Sequence, residues 1–165
     1  MSAQTVYSQA TPRGVAGGLV DLSAHAINTR LNGEAGNTMK FGMGVVQGAT
    51  PGSDVKIPAT GATAAQFEGI TVNGYTSEMD REGAVTLPPL ASLGILQYGK
   101  IWARTKAGIT PAYGEALYLI ISGDDAGLFT NAAAEGTTVA VNGRFIGGKG
   151  TGNVAPVELF YQANQ

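Results

Sequence analysis

Apolar residues along this chain come in short runs that Gly, Pro, Asn and Asp keep interrupting. Such punctuation, without a sustained 3.6-residue stripe, predicts an all-β fold. Candidate strands fall at residues 38–47, 55–57, 66–72, 84–87, 95–105, 116–122, 128–130, 137–146 and 155–161. Several alternate in the way a half-buried strand requires. Ile101 and Ala103 share one face, with Trp102 and Arg104 on the other. Val157, Leu159 and Tyr161 likewise oppose Glu158 and Phe160. Residues 117–121 are apolar throughout, which suits a strand covered on both sides.

Turn signals separate these runs. Pro51-Gly52, Asn73-Gly74, Asp124-Asp125 with Gly127, and Asn142-Gly143 are all turn-forming pairs. Asn142-Gly143 stands between two apolar runs, 139–141 and 144–146, and predicts a two-residue hairpin. Residues 62–67 and 131–135 each have the length of a single helical turn. Residues 19–31 fit a short helix or an extended segment, and periodicity leaves both open. No internal repeat is present.

The pattern predicts a single domain, which a chain of 165 residues is long enough to give a real core. The expected architecture is a compact β-barrel or jelly-roll-like sandwich with an extended N-terminal arm. Residues 1–37 form the expected arm and lead-in segment, and 38–165 the β-domain. Residues 1–18 are rich in Ser, Thr, Gln, Gly and Ala and bury too little to fold alone. They suit a frayed terminus or an arm ordered by a neighbouring subunit.

Composition changes the picture in one respect. Only 13% of residues are charged, against ~25% in a typical soluble domain, and 25 of 165 are Gly. With a net charge of −2 the surface has little repulsion to oppose association. The ten Lys and Arg are scattered, the densest group being Lys100, Arg104 and Lys106, so no nucleic-acid face is expected. Residues 1–18 lack the basic and apolar regions of a signal peptide. No apolar run approaches the ~18 residues needed to span a membrane.

Candidate chemistry is sparse. The chain has no Cys and one histidine, His25, so neither a thiolate nor a His-based zinc site is expected. The stretch from Gly143 to Lys149 has P-loop spacing, but Gly150 replaces the Ser or Thr that binds Mg²⁺, and a strand rather than a helix should follow. Glu78, Asp80 and Glu82 resemble half a calcium loop whose twelfth position is Pro89 instead of Glu. No pair among the twelve acids is marked out for glycosidase work. The expectation is no catalytic residue, no cofactor and no metal.

Read in order, the segments resemble the bacteriophage structural cement (capsid decoration) protein family. The resemblance runs through Gly14-Val-Ala-Gly17-Gly-Leu-Val-Asp21, then Lys40-Phe41-Gly42-Met-Gly44-Val45-Val46-Gln47-Gly48, then Val55-Lys-Ile-Pro58 and Phe67-Glu-Gly69-Ile70. It continues through Gly99-Lys-Ile-Trp102-Ala-Arg104-Thr105, Ile109-Thr-Pro111 with Gly114 and Leu117-Tyr118, Gly127-Leu-Phe129, Arg144-Phe-Ile146 and Gly152 to Leu159. Order and spacing carry it. Residues 75–89 match no pattern.

This resemblance implies a non-enzymatic protein on the outer capsid surface of a virion, made and assembled in the host cytoplasm. Its implied partners are the major capsid protein and itself, as a dimer or trimer. The residues expected at the partner contact are Tyr7, Pro12, Arg13, Val15, Leu19 and Arg30, with the two arginines pairing acidic coat residues. The alternatives are a tail or spike module and a carbohydrate-binding β-module, the latter with Trp102 and Tyr98 as stacking platform and no further support. A small β-barrel enzyme has no motif behind it.

Overall fold

The computed structural model describes residues 14–74, 85, 87–150 and 152–161. These contain the strands β1 (Ala26–Asn32), β2 (Gly44–Gln47), β3 (Asp54–Lys56), β4 (Phe67–Thr71), β5 (Ser92–Arg104), β6 (Ala116–Ile120), β7 (Phe129–Thr130), β8 (Thr138–Phe145) and β9 (Val154–Leu159). The expected all-β fold is what the chain adopts, and its only helical element among the described residues is a 3₁₀ turn at Ala64–Gln66.

Pairing closes the strands into two circuits that share β5. The first runs β1-β3-β2-β4-β5 and returns to β1, with only β1–β3 parallel. The second runs β5-β9-β8-β6-β7. It returns to the end of β5 through a parallel bridge from Phe129 to Thr105. There the Lys106 N–H donates to the Phe129 carbonyl at 2.9 Å.

The first half of β5 pairs with β1 and β4, and the second half, from Gly99 to Arg104, pairs with β9. Gly99 stands at the handover with φ of +124°. A Cβ there would lie 2.6 Å from that of His25, so the close crossing of the 24–26 segment over β5 also requires glycine.

Two apolar clusters fill the molecule. Met39, Val45, Val55, Leu87, Leu93 and Ile95 form one. The other gathers Ile101, Ala103, Leu117, Leu119, Phe129, Val141, Phe145, Ala155, Val157 and Leu159, joined by Val46, Ile70 and Leu96 from the first circuit. Consecutive residues serve opposite clusters, Val45 against Val46 and Ile95 against Leu96. The first circuit therefore buries both faces of β2 and β5 there, which explains apolar doublets where simple alternation would put a polar residue. Phe67 and Phe129 meet edge to face at 6.4 Å across the junction.

Several local expectations need correction. Asn142-Gly143 is no hairpin: both residues lie inside β8. The register against β6 jumps there, with Leu117 opposite Val141 but Ala116 opposite Arg144. The pair is a bulge, and a Cβ on Gly143 would stand 2.5 Å from the Glu158 carbonyl oxygen. Residues 38–43 are not strand. Their backbone is engaged outside a ladder, Gly42 N–H with the Thr71 carbonyl and Gly42 C=O with the Arg104 N–H, both at 2.8 Å. The side chain of Arg104 donates to the Phe41 carbonyl at 2.7 Å.

Residues 131–135 make a turn rather than a helix. The Thr137 and Thr138 N–H groups both bond the Ala134 carbonyl before β8 begins. Residues 62–67 do hold the expected helical turn. Of 19–31, the part from Ala26 is strand and pairs along β5. The expected strand at 84–87 lies partly outside the described residues.

Because the circuits share β5 and a continuous core, they should unfold together. Phe129→Ala removes a fully buried ring at the junction and should cost about 3–5 kcal/mol. Urea unfolding followed by circular dichroism and by Trp102 fluorescence should give one coincident transition; two separated transitions would show the circuits to be independent.

Candidate docking surface

The N-terminal segment is rooted on the second half of β5. Trp102 bonds both sides of it, donating to the Gly18 carbonyl at 2.9 Å and accepting from the Gly17 N–H at 2.7 Å, while the Val20 N–H reaches the Lys100 carbonyl at 3.1 Å. Leu19 bridges Ile101 in this short ladder, and its side chain packs on the larger core cluster. The Gly17 carbonyl also accepts from the Asn73 N–H at 2.8 Å, tying the segment to the first circuit. Gly14 lies against the indole so closely that a Cβ would overlap Trp102 Cε3. That indole face is covered by the protein's own backbone, not offered to a sugar. Tyr98 in turn meets Tyr161 edge to face at 6.4 Å.

Beside this root runs a row of alternating charges. Asp21 pairs with Lys100 at 2.9 Å. Lys100 is in register with Glu158. Glu158 is in register with Arg144 and pairs with it at 2.8 Å. The row holds two acids and two bases, so it is balanced. Hydrogen bonds from the Ser23 hydroxyl, first, and from Lys100 hold the Asp21 carboxyl at about 2, well below its ordinary 3.8. Lys100 is shifted upward by the same pairing.

The row ends in aromatic rings. The Arg144 guanidinium lies 5.3 Å from the Tyr113 ring centre and 5.5 Å from that of Phe160. Tyr113 is presented by a turn in which Glu115 accepts from the Ala112 N–H at 3.0 Å and from the Asn131 amide at 2.8 Å. Those bonds lower the Glu115 pKa. Tyr113 and Tyr161 remain about 70% exposed.

Of the residues expected at a partner contact, Val15 is exposed at the exit of the rooted segment, and Leu19 anchors that segment. Arg30 lies apart, on β1, in an ion pair with Glu68 at 3.5 Å. Tyr7, Pro12 and Arg13 lie outside the described residues, as do Glu78, Asp80 and Glu82. Sequence alternation put Glu158 and Phe160 on one face and Arg104 and Trp102 on another. It gave no sign that Asp21 or Tyr113 would join Lys100 and Arg144, because strand register is set by contacts distant in sequence.

Among the described residues no group of three or more His, Asp or Glu could hold a metal. His25 shares a hydrogen bond with the Ser23 carbonyl at 2.8 Å. The Gly-rich stretch near Lys149 joins β8 to β9 with no helix among its described residues. A groove of about 300 Å³ between the circuits is lined by Gln47, Phe67, Gln97, Tyr98 and Tyr161 among others.

A phage family described as structural cement protein matches this chain over residues 3–160. A chain in the solved structure of the capsid of Myoviridae phage XM1 has the same fold. It superposes with a TM-score of 0.73 over 97% of this chain and 98% of that one, at 19% sequence identity. No curated protein sequence matches significantly.

The Asp21 contacts fix a sign for acid stability. A carboxyl whose folded pKa is depressed stabilises the fold fully above its unfolded value, near 3.8, and the contribution is lost as pH falls toward about 2. NMR titration of Asp21 should give a midpoint near 2. Ser23→Ala and Lys100→Gln should each raise it. A midpoint unmoved by both changes would show that neither contact holds the carboxyl.

Proposed function

The chain belongs to the phage structural cement protein family, and from that premise we propose that it binds the outer surface of a capsid, bridges neighbouring major capsid subunits and stabilises the shell. Its role as a structural component of the virion follows from the family match over residues 3–160, the observation that carries this reading. The capsid-derived structure that shares its fold is in keeping with it.

The proposed mechanism is mechanical. Pressure from packaged DNA loads the seams between coat subunits, and a molecule attached to both sides of a seam resists their separation. Many copies act in parallel, so each interface can be modest. The balanced row from Asp21 to Arg144 supports this reading, because a face whose charges are already paired meets a partner without stranding one, which would cost several kcal/mol.

The rooted segment supports a second element of the proposal. Gly14 sits at a fixed point against Trp102, which would give residues 1–13 a rigid base. We assign them as an arm across a neighbouring subunit, with Tyr7, Pro12, Arg13 and Val15 at the contact. Self-association into a dimer or trimer on the shell is part of the same proposal.

Purified protein mixed with undecorated shells should co-sediment with them and raise the temperature at which they rupture. Removing residues 1–13 should weaken co-sedimentation by at least roughly tenfold while leaving the melting of the free protein unchanged. Shells whose rupture temperature ignores the intact protein would end the cement reading; full binding by the truncated chain would end the arm assignment alone.

A further inference from the structure

Leu90 has a left-handed backbone, with φ of +61°, and its side chain is 74% exposed. Each feature alone is unremarkable in a loop, but the two together are not. The left-handed region is unfavourable for a branched aliphatic residue and natural for Gly or Asn. Strain of this kind persists where the surroundings enforce it, and it concentrates at functional positions. An exposed leucine gains nothing from its own fold in return.

The surroundings that enforce it are fully visible. Asn32, at the end of β1, is completely buried and every polar group it owns is used on this corner. Its side-chain amide donates to the carbonyls of Leu87 at 2.8 Å and Pro88 at 3.1 Å. Its backbone N–H donates to the Ala91 carbonyl at 2.9 Å, and its own carbonyl accepts from the Leu90 N–H at 2.8 Å. Its side-chain oxygen accepts from the Glu34 N–H at 3.0 Å. Pro88 and Pro89 stiffen the approach. The result is a rigid tip carrying one apolar side chain outward, which has little conformational entropy left to lose on burial.

We propose that Leu90 is a docking knob that seats in an apolar socket on the coat subunit. This rests on the cement reading above and names a contact within it. Residues 87–91 contain no ionisable group, so the tip suits a dry socket. Ile27 and Leu31, each 39% exposed, lie on one outward face of β1, the strand whose last residue, Asn32, holds the tip. A second copy of this chain is the poorer occupant. A twofold contact sets the same patch against itself, and a lone convex knob has no complement in its own image; a trimer, whose contact is heterologous, is told apart by the oligomeric state of the variants.

Three full-length variants separate function from fold. Leu90→Asn removes the apolar group and suits the left-handed backbone, so the free protein should melt no lower than wild type. Its shell co-sedimentation should weaken roughly tenfold or more, the effect of losing an interface anchor. Leu90→Met keeps a flexible apolar group and should retain binding. Leu90→Gly should behave like the Asn variant, removing any role for the amide.

Asn and Gly variants that bind shells like wild type overturn the proposal. So does loss of the free protein's oligomeric state, read by light scattering, with shell binding intact, because the knob then serves a second copy. If wild type itself ignores shells, the cement reading fails and the socket with it. If wild type binds and the variants match it, only the socket fails.

Discussion

One strand of 13 residues satisfies two sets of hydrogen-bonding partners, and the geometry of the whole molecule follows from that double duty. β5 completes the first circuit with Ser92–Tyr98 and the second with Gly99–Arg104. The two circuits cannot drift apart without breaking a continuous backbone ladder. The change of partner must happen within one residue, and Gly99 provides it with a conformation other residues rarely adopt. The shared strand also supplies apolar residues to both clusters, Ile95 to one and Leu96, Ile101 and Ala103 to the other. It carries Lys100 and Trp102 on its other face, where the rooted N-terminal segment crosses it. Core, junction and surface are therefore fixed relative to one another by a single element.

The sparse charge of the sequence takes on meaning once the strands are paired. Cross-strand register turns four scattered residues, Asp21, Lys100, Glu158 and Arg144, into one compensated row. Exposed pairs of this kind contribute little to folding. Their weight lies elsewhere, in making the face electrically quiet. Arg144 and the rings of Tyr113 and Phe160 extend the same logic, since a cation over aromatic faces is partly neutralised without an acid.

Much of this architecture was legible in the residues. Period-two alternation located the second half of β5, where Ile101 and Ala103 face the core, and the end of β9. The apolar run at 117–121 marked a strand with Leu117 and Leu119 buried on one face and Ile120 on the other, although Tyr118 is only half-buried. Gly, Pro and Asp punctuation found the turns at Pro51-Gly52 and Asp124–Gly127. What escaped was non-local. Asn142-Gly143 has hairpin chemistry, yet the partners available on β6 and β9 kept the chain straight and left a bulge instead. Residues 38–43 have strand composition, yet Arg104 and Thr71, some 30 to 60 residues away, take their carbonyl and amide groups. The Asp21–Lys100 pair joins positions 79 apart. Leu90 escaped for the opposite reason: nothing about a leucine announces a left-handed backbone, and the buried Asn32 that imposes it sits 58 positions earlier.

Closure has a consequence for life at high density. Strands that return upon themselves, as both circuits do among the described residues, leave no long row of vacant amides and carbonyls to recruit a strand from the next molecule. Uncharged β-proteins concentrated on a common support are prone to fuse edge to edge into fibres. A chain built this way offers its neighbours closed circuits rather than open strand edges, a safeguard that matters more because its low net charge supplies little repulsion.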